Sequence, residues 1–185
     1  LGVTEALAGG WGMLPLAREL GFTLRGDYGL GVYNSQTLKE LKRLGFASAT
    51  ASFELKLAQI RDISKPVDIE MLVYGRLSLM LTQNCLIRTH TGRCTCENNN
   101  RLTDRKGEQF PVVKAFGCRS EILNSKKLFL ADKAAEWKKI GLWAGRLMFT
   151  TENARECVQV LERYLDRGTY EPNDYTRGLY YRDVE

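Results

Sequence analysis

Five cysteines are the residues best suited to chemistry in this chain: Cys85, Cys94, Cys96, Cys118 and Cys157. An odd number of cysteines, with no secretory leader pattern, reads as reduced thiols in a cytoplasmic protein. Thiols of that kind serve more often as metal ligands or catalytic groups than as bridges. A structural zinc ribbon uses paired cysteines two to four residues apart, and Cys94-Thr95-Cys96 is too tight for such a knuckle. Widely spread thiolates suit an iron–sulfur cluster. Sulfur also accepts zinc, and a small buried thiol can be inert. Spacing alone leaves all three readings open.

Hydrolysis finds less support. A thiol protease needs a base beside its nucleophile. His90 is the only histidine, so a two-histidine zinc-protease helix is excluded. Cys85 and His90 could pair, but no orienting carboxylate or amide lies near them in sequence. No Gly-x-Ser-x-Gly elbow occurs.

The elements that would carry these residues repeat along the first part of the chain. Apolar runs at Phe22 to Arg25, Phe46 to Ala51 and Ile69 to Tyr74 predict strands. Between them lie helical patterns, one capped by Ser35 and carrying Leu38, Leu41 and Leu44, another capped by Ser52 and carrying Leu55, Ala58 and Ile60. Gly21 and Gly45 close the preceding helices. Strand–helix units at this interval predict parallel strands with crossover helices. No glycine-rich dinucleotide or phosphate loop is present. The expected fold is therefore α/β: about four parallel strands, ending with Arg146 to Thr150, forming a partial, half TIM-like barrel. The opening without Met reads as a piece of a longer chain, so the partner of the open edge is either the missing N-terminal half or a second copy.

The stretch from about Thr82 to Asp132 breaks this rhythm and holds four cysteines. Asn98-Asn99-Asn100 precedes a hairpin turn at Asp104 to Gly107. Phe110 to Phe116 and Leu128 to Leu130 predict strands. The chain thus divides into βα units over residues 1–81, a β-rich cysteine-containing insertion over 82–132, and a final βα unit with an irregular aromatic tail over 133–185. The last helix is expected at Glu152 to Leu165, capped by Thr151. In a parallel barrel, chemistry sits where strands end. Asp27, Tyr28, Asn34, Ser52, Glu54, Tyr74, Gly75, Arg76 and Thr150 to Asn153 all fall there. Individually each reads equally well as a cap or turn residue; together they describe one rim, and the cysteines fall on it. The net charge of +5 and pI near 9.0 are compatible with a phosphate-bearing partner. No apolar run is long enough for a membrane span.

Several motifs resemble the collagenase-like peptidase family, U32. They are Gly26-Asp27-Tyr28-Gly29-Leu30 with Val32-Tyr33-Asn34-Ser35; Ser52-Phe53-Glu54-Leu55; and Val73-Tyr74-Gly75-Arg76-Leu77 followed by Asn84-Cys85, with Tyr74 in place of the family's histidine. Leu102-Thr103-Asp104-Arg105, Phe110-Pro111, Glu121-Ile122-Leu123-Asn124-Ser125, Phe149-Thr150-Thr151-Glu152 and Tyr175-Thr176-Arg177-Gly178 resemble the subgroup associated with ribosomal RNA cytidine hydroxylation. The resemblance implies a barrel-like α/β fold and a four-iron four-sulfur cluster on Cys85, Cys94, Cys118 and Cys157, with Cys96 as the alternative to Cys94. It implies hydroxylation of an rRNA or tRNA base with prephenate as co-substrate. The pocket would use Glu54, Tyr74 and Arg76, and RNA would meet Arg88, Arg93, Arg101 and Arg119. The family's historical label gives the rival reading, a peptidase on collagen-like substrates. A third is a non-catalytic metal-binding accessory domain.

Overall fold

The computed structural model describes residues 2–96 and 99–181. Strands and helices alternate from the start: β1 (Glu5–Ala8), α1 (Leu14–Glu19), β2 (Thr23–Gly26), α2 (Ser35–Arg43), β3 (Phe46–Thr50), α3 (Leu57–Asp62) and β4 (Asp68–Gly75). The chain then leaves this sheet through β5 (Ser78–Thr82), α4 (Leu86–Thr91), β6 (Asn100–Thr103), β7 (Gln109–Ala115) and β8 (Arg119–Leu123). It returns with β9 (Lys127–Phe129), α5 (Ala134–Trp137), β10 (Ala144–Met148), α6 (Ala154–Tyr164) and β11 (Tyr175–Thr176). Asn98 and residues 182–185 of the expected tail lie outside the described residues.

The result is a mixed α/β protein with two sheets. The larger is mostly parallel, in the order β1-β2-β3-β4-β9-β11 with β10 also on β4. Five strands, β1, β2, β3, β4 and β10, run parallel. The first of them, β1, is too short and too glycine-flanked to have stood out in sequence. The smaller sheet is an antiparallel β5-β8-β7-β6 array. It spans Ser78 to Leu123, so the excursion begins earlier than residue 82 and ends before β9, which belongs to the larger sheet. No described helix is long and apolar enough to cross a membrane.

Local chemistry sets the element ends. Asn34, rather than Ser35, caps α2: its side-chain oxygen accepts from the Gln36 and Thr37 amides at 2.9 and 3.0 Å. Ser52 shapes a turn, accepting from the Glu54 amide, while α3 starts only at Leu57. Asn153, rather than Thr151, caps α6 through the Glu156 amide. In both helices the side-chain oxygen of an asparagine satisfies amides of the first turn that have no partner within the helix. Gly21 and Gly45 do adopt left-handed backbone after α1 and α2. The hairpin turn forms where expected, with the Asp104 carboxylate accepting from the Lys106 and Glu108 amides.

β4 organises the core. From Ile69 to Gly75 it is buried, as a strand covered on both faces must be. Ile69, Met71, Leu72 and Val73 join the main core with Leu38, Leu41 and Leu128, while Tyr74 packs with Phe129, Ala131 and Val160. Alternation puts Glu70 on the opposite face from Ile69 and Met71. There Glu70 accepts from the Thr50 hydroxyl at 2.6 Å and pairs with Arg146, which also reaches Asp27 at 2.6 Å. One charged chain therefore ties β2, β3, β4 and β10 together.

Gly75 has φ +130°, and a Cβ there would collide with the Met148 carbonyl oxygen. Only glycine lets β4 and β10 approach so closely beside Tyr74 and Arg76. Gly75→Ala is expected to lower the unfolding free energy by about 3 kcal/mol or more, read from the urea midpoint. A wild-type midpoint would contradict this packing.

Candidate active site and thiol cluster

β9 runs antiparallel to β4, with Leu128 opposite Gly75. Its first residue, Lys127, is therefore delivered to the C-terminal end of β4, beside the turn that follows β10. Lys127 is almost wholly buried and is held by two carboxylates, Glu152 at 3.1 Å and Glu156 at 2.5 Å. Glu152 accepts from the Thr150 and Thr151 amides at 2.7 and 3.0 Å and from the Tyr74 hydroxyl at 3.1 Å. Tyr170 donates to Glu156 at 2.6 Å. Burial pushes the Glu152 carboxyl up, but the Thr150 amide and the Lys127 ammonium outweigh it and hold its pKa below the ordinary value. Burial pulls Lys127 down, and the two carboxylates more than restore it. Burial pushes Tyr74 far up, so its hydroxyl stays protonated as a donor.

This cluster forms one wall of a cavity of about 710 Å³. Arg76, Thr151 and Glu152 stand on that side; Arg101, Gln109 and Lys114 face them from the β6–β7 hairpin, and Cys96 completes the lining. The volume falls in the range of small-molecule and cofactor sites.

The second feature is a group of thiols. Cys85 caps α4, its sulfur accepting from the Arg88 amide at 3.4 Å. The Cys96 sulfur lies 3.6 Å from that of Cys85 and 3.3 Å from that of Cys94. Cys118 shares a separate cavity of about 410 Å³ with Cys85, Cys94 and Arg88. Gly117 and Cys118 both have left-handed backbone, at φ +71° and +58°. That conformation costs a non-glycine residue stability and is typically retained at functional positions. The Arg88 amide lowers the Cys85 pKa, whereas Cys94 and Cys85 push Cys96 up to about 12. Cys96 thus holds a proton between two neighbouring sulfurs.

Soft thiol donors suit an iron–sulfur cluster or zinc. Sulfurs around a single zinc at 2.3 Å would stand about 3.8 Å apart, and the observed spacings are slightly shorter. Among the described residues no set of three His, Cys, Asp or Glu already surrounds one ion position. The donor set fits; its arrangement is that of free thiols.

Of the site residues expected from sequence, Tyr74 is fully buried and stands behind the wall of the larger cavity on Glu152, and Arg76 lines that cavity. Glu54 does not; it is exposed and accepts from Tyr33 at 2.5 Å. The sulfurs of Cys85 and Cys94 both lie against that of Cys96, and Cys118 shares a cavity with Cys85 and Cys94. Cys157 lies on α6 and lines neither the 710 nor the 410 Å³ cavity. The arginines divide: Arg88 lines the thiol cavity, Arg101 the larger one, Arg93 is exposed beside Cys94, and Arg119 begins β8 after Cys118. His90 has no hydrogen-bond or ion-pair partner among the described residues, so no Cys85–His90 dyad forms.

Lys127, Glu156 and Tyr170 were missed. Lys126-Lys127 looks like a solvated pair. The signal was the apolar strand that follows at once, which carries Lys127 inward.

The model of peptidase family U32 matches residues 1–167. The chain therefore belongs to peptidase family U32. No curated protein and no solved structure matches it.

Because the Glu152 pKa is depressed on folding, its contribution is complete above the ordinary carboxylate range and is lost as pH falls through its folded value. Glu152→Gln keeps the shape but removes the charge that balances Lys127. At pH 7 it is expected to cost about 3 kcal/mol, as loss of one partner from a buried pair does. The gap to wild type should shrink as pH falls below the ordinary carboxylate range and through the depressed folded value. A gap independent of pH would show that Glu152 is not a buried anion.

Proposed function

We propose that this chain is the cluster-bearing part of an iron–sulfur protein that hydroxylates an RNA base. The observation that carries the reading is the position of Cys96. It touches the sulfurs of Cys85 and Cys94 and also lines the polar 710 Å³ cavity at the strand ends. A redox centre on these thiols would stand in the wall of a pocket large enough for an extruded nucleotide. Cys85, Cys94, Cys96 and Cys118 would hold a four-iron four-sulfur cluster, which supplies one-electron transfer when bound. Tyr74 and Glu152 would position the pocket wall from behind, and Arg76 and Arg101 would meet the phosphates. Arg88, Arg93 and Arg119 would guide the strand past the thiol lobe. Prephenate, implied by the resemblance, is kept as co-substrate without an assigned residue. The parallel sheet is read as an open part of a barrel, and the cytoplasm as the compartment.

A second reading rests on the sulfur spacing, which approaches the edge of a zinc tetrahedron: an accessory domain with structural zinc. The peptidase reading is disfavoured because His90 has no partner among the described residues.

Anaerobic purification followed by iron, sulfide and zinc analysis separates these readings. The expected result is about four irons and four sulfides per chain, falling sharply in Cys96→Ala and Cys118→Ala and unchanged in Cys157→Ala. RNA mass spectrometry in cells carrying the same variants should show loss of the hydroxylated base only in the first two. Zinc alone would favour the accessory domain. Intact RNA hydroxylation in Cys118→Ala would overturn the proposal.

A further inference from the structure

Arg76 stands where two cavities meet. It lines the 710 Å³ cavity with Arg101 and an adjoining cavity of about 350 Å³ with Glu156 and Tyr170. Its guanidinium is half-buried and held by neutral groups: NH1 donates to the Asn124 carbonyl at 2.9 Å and to that of Ser125, and Nε donates to the Thr151 hydroxyl at 3.3 Å. Among the described residues no carboxylate forms an ion pair with it. The nearest acid, Glu152, is already engaged by two amides, Tyr74 and Lys127.

Arg101 approaches from the facing hairpin. Its guanidinium donates to the Gln109 side-chain oxygen at 2.7 Å and likewise has no carboxylate in an ion pair among the described residues. Lys127, in the same lining, is matched by Glu152 and Glu156, which leaves the two arginines as cations there without a carboxylate partner among the described residues. Burial draws the Arg76 pKa down and the like charge of Arg101 draws it further, against the pull of Glu152. Two guanidiniums facing one partly enclosed space repel each other, and an anion between them would remove that cost.

We propose that Arg76 and Arg101 form a seat for one oxyanion, a phosphate or a carboxylate, which bridges the end of β4 to the β6–β7 hairpin. Arginine is suited to this role because its fixed donors meet two oxygens at once. The seat spans the two sheets, so its occupant draws the hairpin toward the strand ends and narrows the cavity mouth. The proposal rests on the functional reading above only for the molecule to which the anion belongs.

The test is titration calorimetry of the anaerobically purified, metal-replete chain with inorganic phosphate and, separately, with malonate. At least one probe is expected to bind once per chain. Arg76→Gln and Arg101→Gln should each weaken it about tenfold or more, as loss of one partner in a charged contact does. Arg101 lies on the exposed hairpin, so Arg101→Gln should keep the wild-type melting temperature and decides the matter if Arg76→Gln fails to fold. Binding of phosphate alone assigns the seat to a nucleotide or its backbone, binding of malonate alone to a small acid, and binding of both to oxyanions in general. No binding of either probe at millimolar concentration, or undiminished binding in Arg101→Gln, would overturn the proposal. The readout needs neither RNA nor turnover, so it fails independently of the hydroxylation reading.

Discussion

The burial of Lys127 between Glu152 and Glu156 is the constraint on which the site depends. An ammonium cannot be withdrawn from water at this position unless both carboxylates meet it. Meeting it requires β9 to run antiparallel to β4, β10 to end beside Gly75, and α6 to start just beyond Glu152. Three segments that are distant in sequence are thereby fixed at one end of the sheet. Tyr74 is locked by the same carboxylate, and Arg76 leaves the strand one residue past Gly75. The smaller sheet departs from the larger between Arg76 and Lys127, so the cluster also clamps the root of the cysteine-bearing lobe.

Much of the parallel sheet was legible because its signals are local. Leu38 and Leu41 share one helical face, Gly21 and Gly45 end helices, and Ile69 to Tyr74 is a short, mostly apolar run at the interval of the preceding strands. Boundaries moved where two residues competed for one role, as with Asn34 against Ser35 and Asn153 against Thr151. The second sheet departs a few residues earlier than the expected boundary at 82, with Leu79, Met80 and Leu81 of β5 exposed. The site was legible where the residue type itself is unusual, as with the cysteines. It was illegible where function comes from pairing across the fold. Nothing in Lys126-Lys127 announces that one lysine is solvated and its neighbour buried. The spacing of Cys157 cannot reveal that α6 lines neither the thiol cavity nor the larger one.

The thiol lobe and the ion cluster divide the chemistry. The lobe is largely exposed and places Cys118 on left-handed backbone, features of a region that tolerates local opening. The ion cluster is buried and rigid. Cys96 belongs to both, through its sulfur neighbours and its place in the cavity wall. Membership of peptidase family U32 fits this division without requiring proteolysis, because the one histidine is exposed and unpaired among the described residues. The basic lining of the cavity gives the same site a physical reason to prefer an anionic substrate.

X-ray absorption at the iron and zinc edges of the anaerobically purified chain tests the central claim most directly. The account predicts iron with a sulfur-only first shell and short iron–iron scattering, from a cluster held by Cys85, Cys94, Cys96 and Cys118. Zinc in a four-sulfur shell without iron, or a chain free of both metals, would contradict it.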